Sequence, residues 1–194
     1  MNAQALESNP AELDEVTFSR AQRGDERAFR ELVVRYQRPV YDVLWRMVEG
    51  TDLRHRVEDL TQDTFVRVFG ALDRFSYRGS ARLSTWILTI ATRLALNELR
   101  RTRRTIPIEQ VADHLIAADT ADSAIQRRRL GQAIARAIAA LQPKFRAALV
   151  LREYHHLEYD EIAAALEVDV GTVKSRLSRA RAQLRAALEE VHDD

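Results

Sequence analysis

The stretch "EYDEIAAALEVDVGTVKSRLSRAR", Glu158 to Arg181, carries two apolar stripes separated by a tight break. In the second part Val173, Leu177, Ala180, Leu184 and Leu188 recur at steps of four, three, four and four, the stripe of one helix face. Opposite it stand Ser175, Ser178 and Arg179, flanked by Lys174 and Arg185, and Thr172 lies in the first turn. Gly171 to Arg185 holds five basic residues and no acidic one. A face of one sign forgoes the i,i+4 pairing that usually supports a solvated helix, so an external anion is the natural counter-charge. Upstream, Ile162, Ala163 and Leu166 mark a shorter amphipathic helix, and Glu167 to Asp169 form the turn. Asp169 can cap the basic helix by accepting from the free N–H groups of its first turn. The layout is that of a helix-turn-helix, whose second helix enters the major groove with its N-terminal residues at the base edges. Lys174 and Arg179 can donate to guanine, and Ser175 and Ser178 to bases or phosphates. A helical hairpin in an ordinary bundle has the same outline.

Working outward, the 194 residues suit one domain or two small ones, and six Gly and four Pro leave helix favoured almost everywhere. The expected fold is all-α, in two small helical bundles. No cysteine is present, which excludes disulfides and thiol chemistry. No apolar run approaches the roughly 18 residues of a membrane span, and no signal peptide is recognisable, so membrane insertion is not expected and a cytoplasmic protein is.

The net charge of +1 conceals a partition. Residues 1–24 sum to −2, 25–104 to +5, 105–126 to −4 and 127–194 to +2. Two basic blocks joined by an acidic strip fit a polyanion ligand. The expected organisation is a loose arm over 1–16, a first bundle over 17–104, a linker over 105–126 and a second bundle over 127–190. In the first bundle a helix from near Asp25 contains Pro39, which should disturb it. Next comes "VEDLTQDTFVRVFGALDRF", with Leu60, Phe65, Val68, Phe69 and Leu72 inward, and then "LSTWILTIATRLALNELRRTRR". Pro143 suits the first turn of a helix. His155 and His156 are adjacent, too close in register for a metal site, and read as surface residues. No metal site, cofactor, phosphate-cradling loop or catalytic set can be made out, so no enzyme is expected.

Four ordered motifs, "GDERAFRELVVRY", "VEDLTQDTFVRVFGALDRF", "STWILTIATRLALNELRR" and "YDEIAAALEVDVGTVKSRLSRARAQL", resemble the extracytoplasmic-function sigma factors of bacterial RNA polymerase over about residues 18–189. The resemblance implies a region 2-like bundle and a region 4-like helix-turn-helix bundle. It implies that Glu58, Asp59, Gln62 and Asp63 dock on the clamp helices of the polymerase large subunit; an acidic face suits a basic protein partner better than DNA. It implies that the −10 promoter element is read and melted by the third motif, "STWILTIATRLALNELRR", and the loop before it. Phe75 and Tyr77 would stack on a flipped base, unless they are core aromatics. Arg93, Asn97, Arg100, Arg101 and Arg104 would meet DNA, since so many arginines exceed what a helix C-terminus requires. Arg152, Thr172, Lys174, Ser175, Ser178 and Arg179 would meet the −35 element. An anti-sigma factor is the implied regulator.

Two departures from the common pattern stand out. Arg93 falls in "IATR" where the family often has "IARN", and Glu167 occupies a turn position where Gly is common. A φ > 0 at Glu167 would carry some strain. The acidic linker would mimic RNA in the polymerase channel or simply be solvated. The alternative function is a one-component regulator binding palindromes as a dimer, but a sensor domain needs neither the polar face at Glu58–Asp63 nor the Arg-rich helix end.

Overall fold

The computed structural model describes residues 12–77, 82–105 and 122–189, with the side chains of 103–105 and 122–129 left aside. Its elements are α1 (Glu15–Gln22), α2 (Glu26–Val48), a 3-10 turn at Arg54–Arg56, α3 (Val57–Ala71) and a 3-10 turn at Leu72–Arg74. There follow α4 (Leu83–Thr105), α5 (Asp122–Ala140), α6 (Pro143–Glu153), α7 (Tyr159–Leu166) and α8 (Val170–Glu189). Local chemistry sets most of the starts. Asp14 accepts from the Thr17 amide at 2.9 Å and opens α1. Asp25 accepts from Arg27 and Ala28 at 2.9 and 3.1 Å and opens α2. Pro143 sits at the first turn of α6. The α2 helix continues through Pro39 to Val48.

Three expectations are corrected here. The chain is anchored before residue 17: Leu13 is buried, its amide donates to the Tyr36 hydroxyl at 3.0 Å, and α1 begins at Glu15. Phe69 is half-exposed rather than inward, its ring lying edge-on to Phe29 at 4.9 Å. Helix α5 begins at Asp122, inside the stretch expected as linker, while 106–121 lies outside the described residues.

α1 to α4 form one bundle and α5 to α8 the other, but their cores are not separate. One apolar cluster runs from Leu32, Val40 and Leu44 through Ile87 and Ala91 to Leu151, Ile162 and Val173. α6 packs on α2, and α7 packs on α4. A second, smaller cluster of Ile138, Leu141, Phe145, Leu149 and Ala180 ties α5 and α6 to α8.

Arg146 of α6 marks the junction. It is buried, and its guanidinium donates to Met47 O at 2.7 Å, Glu49 O at 3.1 Å, Leu141 O at 3.3 Å and also to Ala139 O. Two of these carbonyls belong to the end of α2, so one side chain holds both bundles. Beside it the Arg46 guanidinium lies 3.6 Å from the Tyr154 ring centroid.

His155 is a further correction: it is buried, with Nε2 unpartnered, whereas His156 is exposed at φ 55°. Burial first, then the Arg46 charge, holds the His155 imidazole down at about 4, against an ordinary 6.5. Above the ordinary value it is neutral in both states. Between pH 6.5 and about 4 the unfolded chain takes up a proton that the folded chain refuses, so acid destabilises. The full penalty is about 3 kcal/mol and is reached near the folded value. The urea midpoint of the wild type should fall across this window, and that of His155→Gln should fall much less. Parallel curves for the two proteins would contradict the assignment.

Among the described residues no helix is long and apolar enough to cross a membrane, and no group of three or more His, Cys, Asp or Glu could hold a metal ion.

Candidate nucleic-acid interface

The helix-turn-helix is built by α7 and α8. Its entry is capped where the Glu158 amide donates to the Glu161 carboxylate at 2.8 Å. The turn is made at Glu167, whose φ of 53° and ψ of 50° are left-handed, the strained position foreseen for it. Asp169 then caps α8, accepting from the Thr172 amide at 2.6 Å and the Thr172 hydroxyl at 2.7 Å. Those hydrogen bonds hold the Asp169 carboxyl below its ordinary range. Val173, Leu177 and Ala180 are buried, which turns Lys174, Ser175, Ser178 and Arg179 outward. The Ser175 hydroxyl donates back to Thr172 O at 2.9 Å.

Of the five cations in this helix, Arg181 is bound to Glu153 of α6 at 2.7 Å and braces the helix from behind. Lys174 and Arg179 stay exposed, with no ion pair among the described residues. Arg152 is placed differently. It donates to Leu157 O at 2.8 Å, pairs with Glu158 at 3.1 Å and lies over the Tyr159 ring at 5.2 Å. It closes the corner between α6 and α7 and does not share the outward face of α8.

The second set gathers around α4. Phe75 is buried in an aromatic group, 5.5 Å from Phe18 and 5.0 Å from Trp86. The Tyr77 ring is 5.3 Å from Phe18, and its hydroxyl donates to Leu13 O at 2.5 Å. Both rings therefore serve the core in this conformation, the plainer of the two readings, and the loop tip at 78–81 lies outside the described residues. Asn97 and Arg100 are exposed on one side of α4, and Arg101 pairs with Glu98 at 3.0 Å. Glu98 also receives Arg56 at 3.2 Å, which fixes the start of α3 against α4. Arg104 lies in the last turn of α4, its side chain outside the described residues.

Arg93 does not stand with them. Its Nε donates to Ala165 O at 2.8 Å, one terminal nitrogen donates to Ala164 O at 2.8 Å, and the other pairs with Glu167 at 3.0 Å. It therefore satisfies carbonyls that the end of α7 leaves without intrahelical donors.

The third surface is on α3, where Leu60, Thr64, Phe65 and Val68 are buried, and Glu58, Asp59, Gln62 and Asp63 are exposed. The sequence reading missed its apolar continuation. Val66 is 70% exposed and Phe69 55%, and both extend the acidic strip along the same side of the helix. The signal was present, since Val66 follows Gln62 and Asp63 at i+4 and i+3, and Phe69 follows Val66 at i+3. Acid beside exposed apolar surface suits a protein partner and repels DNA.

Residues 32–105 match the family model described as Sigma-70 region 2, and residues 131–184 the model described as Sigma-70, region 4. The chain is 36% identical over 178 residues to the ECF RNA polymerase sigma-E factor of Escherichia coli (strain K12), covering 87% of this chain and 90% of that protein. It is 32% identical over 190 residues to the RNA polymerase sigma-H factor of Pseudomonas aeruginosa (strain PAO1), covering 93% and 96%. Among solved structures, CnrH in complex with the cytosolic domain of CnrY is similar with a TM-score of 0.64 and 27% identity, covering 91% of this chain and 97% of that one. The sigma factor RpoE in complex with the anti-sigma factor NepR, from Bartonella quintana, shares the fold with a TM-score of 0.63 and 24% identity, covering 83% and 96%.

Proposed function

The chain belongs to the extracytoplasmic-function sigma factors of bacterial RNA polymerase, and on that premise we propose how its surfaces divide the work. As a sigma factor it binds core RNA polymerase and directs promoter-specific initiation, and is a DNA-binding subunit of the initiating enzyme. We assign core binding to Glu58, Asp59, Gln62, Asp63, Val66 and Phe69 on α3. Asn97, Arg93, Arg100, Arg101 and Arg104 meet the −10 strand, and Lys174, Ser175, Ser178 and Arg179 meet the −35 duplex. The region 2 bundle extends to about residue 104, the region 4 bundle begins at α5, and the stretch between them is the connection through the polymerase. No step in this work calls for a metal or cofactor, and its place is the cytoplasm, where the polymerase is.

The observation that best supports the reading is the pairing of two unlike surfaces on one short chain. α3 presents an acidic and apolar strip, and α8 presents cations backed by a capped helix start. A one-component regulator needs only the second. Mixing the purified chain with core polymerase should give a stoichiometric complex by gel filtration; failure to co-elute would remove the α3 assignment.

An anti-sigma factor is the regulator we assign. The chain has no cysteine, and a solved relative is held by a protein partner, the cytosolic domain of CnrY.

The −35 reading separates two arginines. Arg179→Ala should weaken binding of the full chain to its preferred −35 duplex by about 1–3 kcal/mol and relax preference at one or two base pairs. Arg152→Ala, acting through the corner or a phosphate, should weaken all sequences about equally. A salt series with matched and scrambled duplexes measures both. Uniform loss in both variants would reduce α8 to a phosphate clamp.

A further inference from the structure

We propose that the outward line of α2 is a second nucleic-acid surface, one that takes a single strand without regard to sequence and faces away from α4. The supply of that strand rests on the sigma-factor reading; the surface itself does not.

α2 turns Ala28, Leu32, Tyr36, Val40 and Met47 into the core, and α3, α4 and α6 all pack on it. At about 100° per residue, Arg27, Val34, Arg38 and Trp45 project within about 40° of one another on the opposite side. Arg30 and Tyr41 run along one edge of that line, and Glu31 and Asp42 along the other. Arg27, Arg30 and Arg38 are exposed, and so is Val34. Arg38 is held by Asp42 at 3.0 Å, but Arg27 and Arg30 have no ion pair among the described residues.

The aromatic end of the line is ordered. The Tyr41 and Trp45 rings are stacked, with centroids 6.2 Å apart and planes inclined by 13°, and the Arg54 guanidinium lies over the Trp45 ring at 4.7 Å. Trp45 and Arg54 open onto a cleft whose wall also holds Thr51, Asp52 and His55. A second open cleft lies at the other end, lined by Arg27, Arg30, Glu31, Val34 and Arg35.

Cations in a row beside stacked rings are what a single strand requires. Phosphates meet the guanidinium groups, and bases stack on aromatic faces whatever their identity. Arg27 to Trp45 is about 27 Å along the helix, room for several nucleotides. A base takes the place of Arg54 on the Trp45 ring, since base stacking is stronger than an exposed cation–π contact, and frees Arg54 for a phosphate. Asp52 accepts from the amino group of a cytosine held there. An acidic protein would use the arginines and gain nothing from the stacked rings. A duplex keeps its base faces covered, so the surface suits melted DNA or a new transcript.

The chain has two tryptophans, Trp45 on this line and Trp86 near the start of α4. Fluorotryptophan labelling of the full chain therefore gives two fluorine resonances, assigned with Trp86→Phe. Titration with oligodeoxycytidine of about 12 nucleotides should shift the Trp45 resonance and move that of Trp86 less. Arg27→Gln combined with Arg30→Gln should weaken the Trp45 titration about tenfold at low salt and lower its salt slope by about 1.4, the release expected for two phosphates. Both side chains are exposed, so the fold is spared. Arg136→Gln combined with Lys144→Gln removes the same charge from exposed sites on α5 and α6 and should change neither quantity. Oligoribocytidine is the second arm: tighter binding of DNA identifies a melted strand as the occupant, and tighter binding of RNA a transcript. A shift of Trp86 alone, an equal loss in the two double variants, or an equal titration of Trp45 by polyglutamate overturns the surface. Run-off transcription by the wild-type chain with core polymerase tests the sigma-factor reading separately, so failure of one is read apart from failure of the other.

Discussion

Asp63→Arg should weaken binding to core RNA polymerase about a hundredfold while leaving helical circular dichroism unchanged. Asp63 is exposed on α3, and the buried face of that helix is made by Val57, Leu60, Thr64, Phe65 and Val68. Reversing the charge therefore costs the fold little. At a docked acidic face it replaces an attraction by a like-charge contact with a basic partner, a change worth several kcal/mol. The neighbouring Val66 and Phe69 would still be offered, so residual binding is expected, more sensitive to apolar truncation than to salt. Asp73→Arg, on the exposed 3-10 turn beyond the helix, is the control and should bind as wild type. Equal affinities for all three proteins in a fluorescence titration would remove α3 from the polymerase interface.

Arg146→Met should destabilise the chain by about 3–5 kcal/mol, the largest effect expected from one side chain here. The methionine fills the space of the arginine stem but donates nothing. It leaves Met47 O, Glu49 O, Ala139 O and Leu141 O to be satisfied some other way in a buried junction. Each buried acceptor left without a donor costs about 1–3 kcal/mol, and relaxation recovers part of the sum. Arg146→Lys should recover little, because a compact ammonium cannot span carbonyls from α2 and from the end of α5 together. Urea unfolding should show the loss, and the two bundles should begin to unfold separately. A loss below about 1 kcal/mol would mean that the apolar cluster alone joins the bundles.

Both variants probe features of different legibility. The acidic strip at Glu58–Asp63 could be read from i, i+1, i+4, i+5 spacing, because a helix face is a local property. So could the turn strain at Glu167, the Asp169 cap and the outward Lys174 and Arg179. Arg146, Arg93 and Arg152 could not, since Arg146 donates to backbone carbonyls, as do Arg93 and Arg152 in part. A carbonyl has no letter in the sequence, and the partners of Arg146 and Arg93 come from segments up to 99 residues away. Arg152 reaches only five residues ahead, but the bend between α6 and α7 that brings Leu157 O to it has no periodic signal. His155 failed for a related reason: two adjacent polar residues point differently, and only the junction with α2 decides which is buried. Phe69 departs from its expected inward place, whereas Phe75 takes the core reading, one of the two left open for it. Phe69 sits on the rim of its helix and faces outward beside Val66, while Phe75 turns into the aromatic group of Phe18 and Trp86.

The reading of two separate bundles was right in helix content and incomplete in packing. Hydrophobic periodicity identifies which face of a helix is buried but not what buries it. Ile162 and Ala163 on α7 read as core of the second bundle, yet they belong to a cluster that reaches Leu44 and Ala91 in the first. That continuity sets α4 against α7, where Arg93 reaches the Ala164 and Ala165 carbonyls.

The central claim is that this chain selects promoters for core polymerase, and run-off transcription from a library of randomised upstream sequences tests it most directly. With chain and core polymerase together, transcripts should start downstream of one common two-part motif with fixed spacing, and core alone should give none of them. Identical transcripts with and without the chain, or binding of the chain as a dimer to palindromes without any effect on initiation, would contradict it.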